Sequence, residues 1–255
     1  MAEDRDQALE DKGGAIGETI RTIVVALLIA VVFRSFAYQP FNIPSESMVP
    51  TLLTGDYLFV SKFSYGYSRH SFPFSPPIFE GRIFEGEVKR GDVAVFKLPR
   101  DGRTDYIKRI IGLPGDHIQI KDSVIYINGE PVKREQVEDF VTDDQNLTVR
   151  RARQYRETLP NGVSYMTLDL YGPIDKDNTP VYRVPEGYYF AMGDNRDNSA
   201  DSRLPISRGV GFVPVENMVG RADFITFSVN GDAKWWEVWG WFGALRYDRF
   251  FKAIS

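Results

Sequence analysis

The sequence predicts a mainly β protein carried on one N-terminal transmembrane helix, with a β-barrel or sandwich-like domain into which a smaller β domain is inserted. Three observations point there. The most apolar stretch lies at the very start of the chain. After residue 40, short runs of β-branched and aromatic residues recur between Gly, Pro, Asn and Asp, which is the pattern of strands and turns. From about 117 to 185 the composition becomes charged and turn-rich, as in "VKREQVEDFVTDDQ" and "PIDKDNTP", so the strands on either side are left to pair with each other.

Taken in order, residues 1–14 form a polar tail and 15–36 an anchor. The uncharged run Thr22–Phe33 is twelve residues, short of the ~20 a spanning helix needs. Extending it back to Ala15 takes in Glu18 and Arg21, three apart on one helix face, where they can pair and reach the interface. "RSFAYQPF" follows the run and offers no small-x-small cleavage site, so the segment reads as an uncleaved anchor. Arg5, Lys12 and Arg21 precede the centre of the span and Arg34 follows it, which places the N-terminus in the cytoplasm. Residues 37–116 and 186–255 then read as the main β domain and 117–185 as the insertion. "YLFVSKF", "DVAVFKL", "YIKRII", "HIQIK", "SVIYI" and "YYFAM" are its clearest strands, and "VIYINGEPV" is a hairpin with Asn128-Gly129 at a type I′ turn. Residues 66–86, with five aromatics and three prolines among "GYSRHSFPFSPPIFEGRIFEG", resemble a ribbon more than core. All four tryptophans fall in "WWEVWGWF", residues 235–242, suited either to a membrane interface or to core packing.

Composition narrows the chemistry. The chain has 255 residues, is 43% hydrophobic and carries a net charge of −4, which argues against the basic stripe of a nucleic-acid binder. It has no cysteine, so a thiol nucleophile, a disulfide scaffold and a sulfur-ligated zinc are excluded. Its only histidines are His70 and His117, both expected at the surface, and a His-rich metal site is not expected.

Three stretches carry the functional signal. In "IPSESMVPTLL", residues 43–53, Pro44 biases the backbone towards extended geometry, where residues two apart share a face. Ser45 and Ser47 then address one point. A serine needs a neighbour to take its proton. In "DYIKRIIGLPGD" Lys108 lies in mid-strand on the face of Tyr106 and Ile110. A lysine near pKa 10.4 is neutral in only about one molecule in 2,500 at pH 7, but burial lowers that pKa by ~3–5 units. In "AMGDNRDNSADSR", residues 191–203, Asp194, Asp201, Arg196, Arg203 and Ser199 stand together in a turn-rich loop that charge-assisted bonds could brace into a platform. Its Asx density alone would also suit a surface loop.

These stretches, in this order behind an anchor, resemble the bacterial type I signal peptidases (leader peptidases). "IPSESMVPTLLTGD" is similar to that family's nucleophile box, "RGDVAVFKLP" to the strand box, "DYIKRIIGLPGD" to the lysine box and "GDNRDNSADSR" to its most distinctive box. The resemblance implies a membrane-bound serine endopeptidase that removes signal peptides from exported preproteins after small residues, of A-x-A type. It implies Ser47 as nucleophile, Lys108 as neutral general base and Ser199 as the hydroxyl orienting that amine. It further implies Ser45 as side-chain donor of the oxyanion hole, with the Ser47 N–H as the second donor. Asp194 with Arg109, and Asp201 with Arg203, correspond to bracing ion pairs; Phe41, Ile43, Met48, Leu52, Tyr106 and Ile107 correspond to positions lining the −1 and −3 subsites. No metal or cofactor is implied. The expected surroundings are the bacterial cytoplasmic (inner) membrane, crossed once, with the catalytic domain on the periplasmic side as a monomer. The expected partners are signal-peptide-bearing preproteins and the lipid bilayer. The 66–86 ribbon is assigned either to lipid or to the secretion translocon. Glu46 stands where the family often has glycine and is expected to point away from both serines. Two other readings are a soluble self-cleaving Ser-Lys repressor relative, which would need neither the anchor nor the last loop, and a tethered β-rich binding protein whose serines are structural.

Overall fold

The computed structural model describes the backbone of residues 2–72, 75–77, 79–172, 174–230 and 243–254, with side chains from residue 17 onward. The tryptophan cluster at 235–242 lies outside the described residues.

One helix, α1 (Ala2–Phe36), opens the chain. Its stretch Gly17–Phe36 is 20 residues long with a mean hydropathy of 2.0, about 30 Å at 1.5 Å per residue, enough to cross a bilayer core. Its Ile, Leu, Val and Phe side chains are exposed over nearly the whole length, as expected of a helix that meets lipid rather than a protein core. The turn containing Glu18 and Arg21 continues the helix, with Thr22 Oγ1 donating to the Glu18 carbonyl at 2.9 Å.

The rest is β. Strands β1 (Tyr38–Asn42), β2 (Asp56–Ser61), β3 (Val93–Lys97) and β4 (Asp105–Gly112) come first. The chain then leaves this sheet for β5 (His117–Lys121), β6 (Val124–Ile127), β7 (Glu130–Pro131), β8 (Lys133–Gln136), β9 (Phe140–Val141), β10 (Arg151–Thr158), β11 (Ser164–Asp169) and β12 (Tyr182–Arg183). It returns as β13 (Tyr188–Met192), β14 (Val213–Pro214) and β15 (Met218–Ser228). The main sheet has seven strands in the order β1-β2-β15-β3-β4-β13-β14. β4 and β13, one before and one after the excursion, are antiparallel neighbours. The excursion builds two further sheets, β11-β10-β8 with β9 on β10, and β12-β5-β6-β7. The Asn128-Gly129 hairpin joins β6 to β7, pairing Ile127 with Glu130. Asn128 at φ 55° and Gly129 at φ 90° supply the two positive φ values a type I′ turn requires.

The excursion does not have a core to itself. Ile118, Ile120, Ile125, Ile127, Leu159 and Tyr165 pack in one buried cluster with Ile111 of β4 and with Phe190 and Met192 of β13. A second cluster joins Val49 to Leu147, Val149, Ala152 and Leu168. Hydrophobic burial therefore fastens the inserted strands both to the strand that carries Lys108 and to the segment that follows Ser47. The aromatic ribbon is tied down as well. Tyr67 and Ile83 bridge antiparallel, and the Arg82 guanidinium donates to the carbonyls of Tyr65, Gly66, Val215 and Met218. His70, expected at the surface, is buried at 5% exposure. It sits in a turn capped by Ser68, and its Nδ1 lies 3.0 Å from Ser75 Oγ. His117 is exposed.

Candidate active site

Between Pro44 and Leu52 the backbone is not the extended segment that strand alternation presupposes. It bends at 45–46 and turns through 47–50, with Val49 N donating to the Glu46 carbonyl at 3.1 Å and Leu52 N to the Met48 carbonyl at 2.9 Å. The two serines still converge, their Oγ atoms 3.4 Å apart, but the turn brings them together. The same turn leaves the Ser47 N–H without an acceptor among the described residues.

β4 supplies the partner. Its 2-residue alternation sends Lys108 one way and Arg109 the other. Lys108 is 3% exposed, and its Nζ donates to Ser47 Oγ at 2.7 Å and to the Ile107 carbonyl at 2.8 Å. The Nζ also lies 5.5 Å from the centre of the Tyr106 ring. Burial pulls its pKa from 10.5 down to about 8, against the opposing charges of Asp201 and Asp194. About one molecule in ten then holds a neutral amine at pH 7, some two hundred times more than for an exposed lysine.

Arg109 is fully buried. Its Nε and Nη2 grip Asp194 Oδ1 and Oδ2 at 2.9 and 2.8 Å, and its Nη1 donates to the Gly91 carbonyl at 2.8 Å. Thr51 Oγ1 donates to the same Asp194 carboxylate at 2.5 Å, so the segment after Ser47, β4 and the loop after β13 meet at one ion pair. A second pair stands beside it, with Arg203 Nε and Nη2 on Asp201 at 2.9 and 2.8 Å. Burial alone would raise the Asp201 pKa, but the Arg203 guanidinium and the Gly193 N–H hold it at about 2. Arg196 makes a third buried pair, with Glu157 of β10, at 2.7 and 2.5 Å.

The loop after β13 also supports the Ser47 turn directly. Asn195 N donates to the Ser47 carbonyl and Asn195 Nδ2 to the Glu46 carbonyl, each at 3.1 Å. Gly193 is pressed between the two serines. A Cβ there would lie 2.4 Å from the Ser47 carbonyl oxygen and 2.3 Å from Ser199 Oγ, so only glycine allows this approach. Ser199 is thus brought to the site, but its buried Oγ makes no hydrogen bond of ordinary geometry, although it is near enough to Asp201 to favour that carboxylate. The second partner of the Lys108 amine is the Ile107 carbonyl and not Ser199.

Glu46 points away from the serines. Its carboxylate accepts from Thr148 N at 2.5 Å and Thr148 Oγ1 at 2.7 Å, tying the Ser47 turn to the inserted region. Of the six positions expected to line the subsites, Phe41, Ile43, Met48, Leu52 and Ile107 gather in one apolar cluster. Met48 and Leu52 are wholly buried and Ile43 nearly so, which leaves Phe41 and Ile107 as the members with exposed surface. Tyr106 packs with a different cluster, beside Ile110 and Phe96. Gly193, Asn195, Thr148 and the Ile107 carbonyl are contributors that sequence reasoning missed; only the closeness of Gly193 and Asn195 to Asp194 signalled any of them. Among the described residues no three His, Asp or Glu side chains gather as metal ligands.

The site is therefore a buried amine of lowered basicity in contact with a serine hydroxyl, a second hydroxyl and a free N–H beside it, and two ion pairs behind. The family model described as signal peptidase, peptidase S26, matches residues 16–227. A signal peptidase I of Rickettsia typhi is 40% identical over 98% of this chain and 97% of its own. One from Rickettsia conorii is 42% identical over 89% of each chain, and one from Rickettsia rickettsii is 45% identical over 83% of this chain and 79% of its own. A solved signal peptidase I of Enterococcus faecalis V583 is 28% identical, covering 53% of this chain and 96% of that one at a TM-score of 0.32. By the family model and by the Rickettsia relatives alike, the chain belongs to the signal peptidase family of hydrolases, peptidase S26.

Proposed function

We propose that this chain is a membrane-anchored endopeptidase that removes N-terminal signal peptides from exported preproteins by a Ser-Lys mechanism, cutting after small residues of A-x-A type. The observation that carries the reading is the 2.7 Å contact between Ser47 Oγ and the Lys108 amine, which is buried and held near pKa 8. In its neutral form Lys108 takes the Ser47 proton as Oγ attacks the scissile carbonyl. The developing oxyanion is held by the Ser45 hydroxyl and the Ser47 N–H. Lys108 then passes the proton to the leaving amine, and the acyl-enzyme is hydrolysed by a water that Lys108 deprotonates in turn. Ser199, close by and unpaired, completes the hydrogen bonding of the amine once substrate closes the site. Arg109–Asp194 and Arg203–Asp201 keep the scaffold fixed.

Substrate enters as an added strand. Among the described residues β1 pairs with β2 on one side only, and the start of β4, Asp105–Lys108, pairs with β3 on one side only. Phe41 and Ile107 then face the substrate, over a floor of Ile43, Met48 and Leu52 that leaves room for small side chains. α1 anchors the chain in the bacterial inner membrane, N-terminus in the cytoplasm and β domain outside, where the ends of signal peptides emerge near the translocon. The test uses the detergent-solubilised full chain and a precursor with an A-x-A site. A single cut after that site, lost in both Ser47→Ala and Lys108→Ala, is the expected result by product mass. Equal cutting by all three proteins would refute the dyad.

A further inference from the structure

Away from Ser47 a polar cavity of about 450 Å³ opens where α1 meets the β domain, lined by Arg34, Gln39, His70, Ser75, Lys97 and Arg103 among others. Its position is set by the helix end. Phe72, which forms part of its wall, packs edge-on against Phe36 at 5.5 Å, and Phe36 packs likewise on Tyr67 at 5.4 Å. Tyr67 Oη donates to the Phe36 carbonyl at 2.8 Å. Around this junction Phe36, Phe63, Ile83 and Phe84 expose large apolar surfaces, Phe84 at 84%. An aromatic collar at the end of a spanning helix belongs at the depth of the lipid headgroups.

The charge within the cavity is unbalanced. It holds three cations, Arg34, Lys97 and Arg103, and one carboxylate, Asp105, which is taken by Lys97 at 2.8 Å. The guanidinium groups of Arg34 and Arg103 have no partner among the described residues. His70 adds no charge at neutral pH, because burial, followed by the Arg69 charge, lowers its pKa to about 4. Arg69 Nε donates to His70 Nε2 at 3.4 Å, so the ring proton sits on Nδ1 and is donated to Ser75 Oγ. The Ser75 O–H is thereby left to donate into the cavity. Lys62, on the β2 side, responds to the same excess of positive charge: burial, then Arg34, draws its pKa down to about 8. Two free guanidiniums, a hydroxyl donor and an aromatic collar at headgroup depth match a phosphodiester with its acyl chains running into the bilayer.

We propose that this cavity binds the phosphate headgroup of an anionic phospholipid from the leaflet that receives the end of α1. The bound lipid fixes the β domain against the membrane surface. This inference rests on α1 spanning the bilayer. The rival occupant is an acidic segment of the substrate upstream of the cut, since Gln39 and Asp105 lie two residues beyond Phe41 and Ile107 on the same faces of their strands. Arg34 and Phe72, which belong to the helix junction, favour the lipid.

The full chain is reconstituted in phosphatidylcholine vesicles doped with phosphatidylglycerol, extracted in mild detergent, and the lipids that remain bound are counted by native mass spectrometry. The expected result is one retained phosphatidylglycerol in preference to phosphatidylcholine, with retention about tenfold weaker in the double variant R34Q/R103Q and a smaller loss in Ser75→Ala. Equal retention by wild type and the double variant, with matching melting curves, would overturn the proposal. Displacement of the lipid by equimolar inorganic phosphate would also overturn it and assign the cavity to a free anion. Displacement by an acidic peptide from the upstream region of a precursor would overturn it in favour of substrate. A chain that fails to enter the vesicles at all would instead refute the spanning helix.

Discussion

Replacing Lys108 by methionine should abolish peptidase activity and, in the same molecule, change how stability depends on pH. Methionine is unbranched and apolar and suits the space the lysine stem occupies. The folded-state pKa of Lys108 is about 8, against about 10.5 unfolded. Below pH 8 both states of the wild type hold the proton, and its stability does not depend on this group. Between pH 8 and 10.5 the unfolded chain binds the proton and the folded chain does not, so wild-type stability rises with pH across that window. The rise is about 3 kcal/mol at 1.36 kcal/mol per pH unit. Lys108→Met has no such term. It also loses the bonds to Ser47 and the Ile107 carbonyl, roughly 2 kcal/mol together. The variant should therefore be more stable than wild type by about 1 kcal/mol at pH 7 and less stable by about 2 kcal/mol at pH 10.5. Melting of both proteins in one detergent from pH 7 to 10.5 reads this out as curves that cross, with a relative displacement of about 6–12 °C. Parallel curves would mean that the amine is not held near pKa 8, and the account of the general base would fall with them.

Activity should follow the same group: kcat/KM rises about tenfold per pH unit up to pH 8 and then levels, read on a precursor peptide in buffers of constant ionic strength. Ser45→Ala should lower kcat about a hundred- to a thousandfold with little change in KM, the loss of one oxyanion donor, as measured by steady-state kinetics. Asp194→Asn leaves the fully buried Arg109 charge without its carboxylate and should cost about 3–5 kcal/mol of stability, seen as a drop in denaturation midpoint. Glu46→Ala removes the acceptor of two Thr148 bonds and should cost about 1–3 kcal/mol. Glu46→Gln, which keeps one carboxamide oxygen for the Thr148 N–H, should recover part of this in a thermal melt.

Strand periodicity and turn chemistry made the β architecture legible, because the hairpin at Asn128-Gly129 and the alternation of β4 are local properties of a few neighbouring residues. The same locality explains why Lys108 and Arg109 could be assigned to opposite faces before any contact was known. What failed was local too. The bias of Pro44 towards extended geometry does not carry through Ser47: the structure turns there, with Val49 N and Leu52 N closing back on Glu46 and Met48. Turn formation at that point depends on what the segment packs against, and its partners are remote. Val49 is buried with Leu147, Val149 and Leu168, and Thr148 holds Glu46 from 102 residues away. Nothing in the periodicity of either stretch announces such a pairing. The burial of His70 escaped for the same reason, since its cover comes from a ribbon whose own sequence reads as loop.

If Ser47 and Lys108 act as the proposed dyad, these remote ties explain why so small a pair is built on so large a scaffold. The turn bearing Ser47 has few interactions of its own and is held from three directions. Asn195 grips the carbonyls of Glu46 and Ser47 from the loop that also carries Asp194. Thr148 and the buried Val49 cluster hold it from the inserted strands. From the C-terminal segment, Arg249 bonds the Thr51 carbonyl at 3.0 Å and the buried Asp56 carboxylate. A hydroxyl must stay within hydrogen-bond reach of its base to react, and a misplacement of about 1 Å can cost a hundredfold. Each tie removes one way for the turn to drift from Lys108, which is itself fixed in the middle of a paired strand. In the proposed mechanism the inserted region, which supplies neither nucleophile nor base, acts through position: by closing on Glu46 and Val49 it holds Ser47 where a lysine of pKa about 8 can reach it.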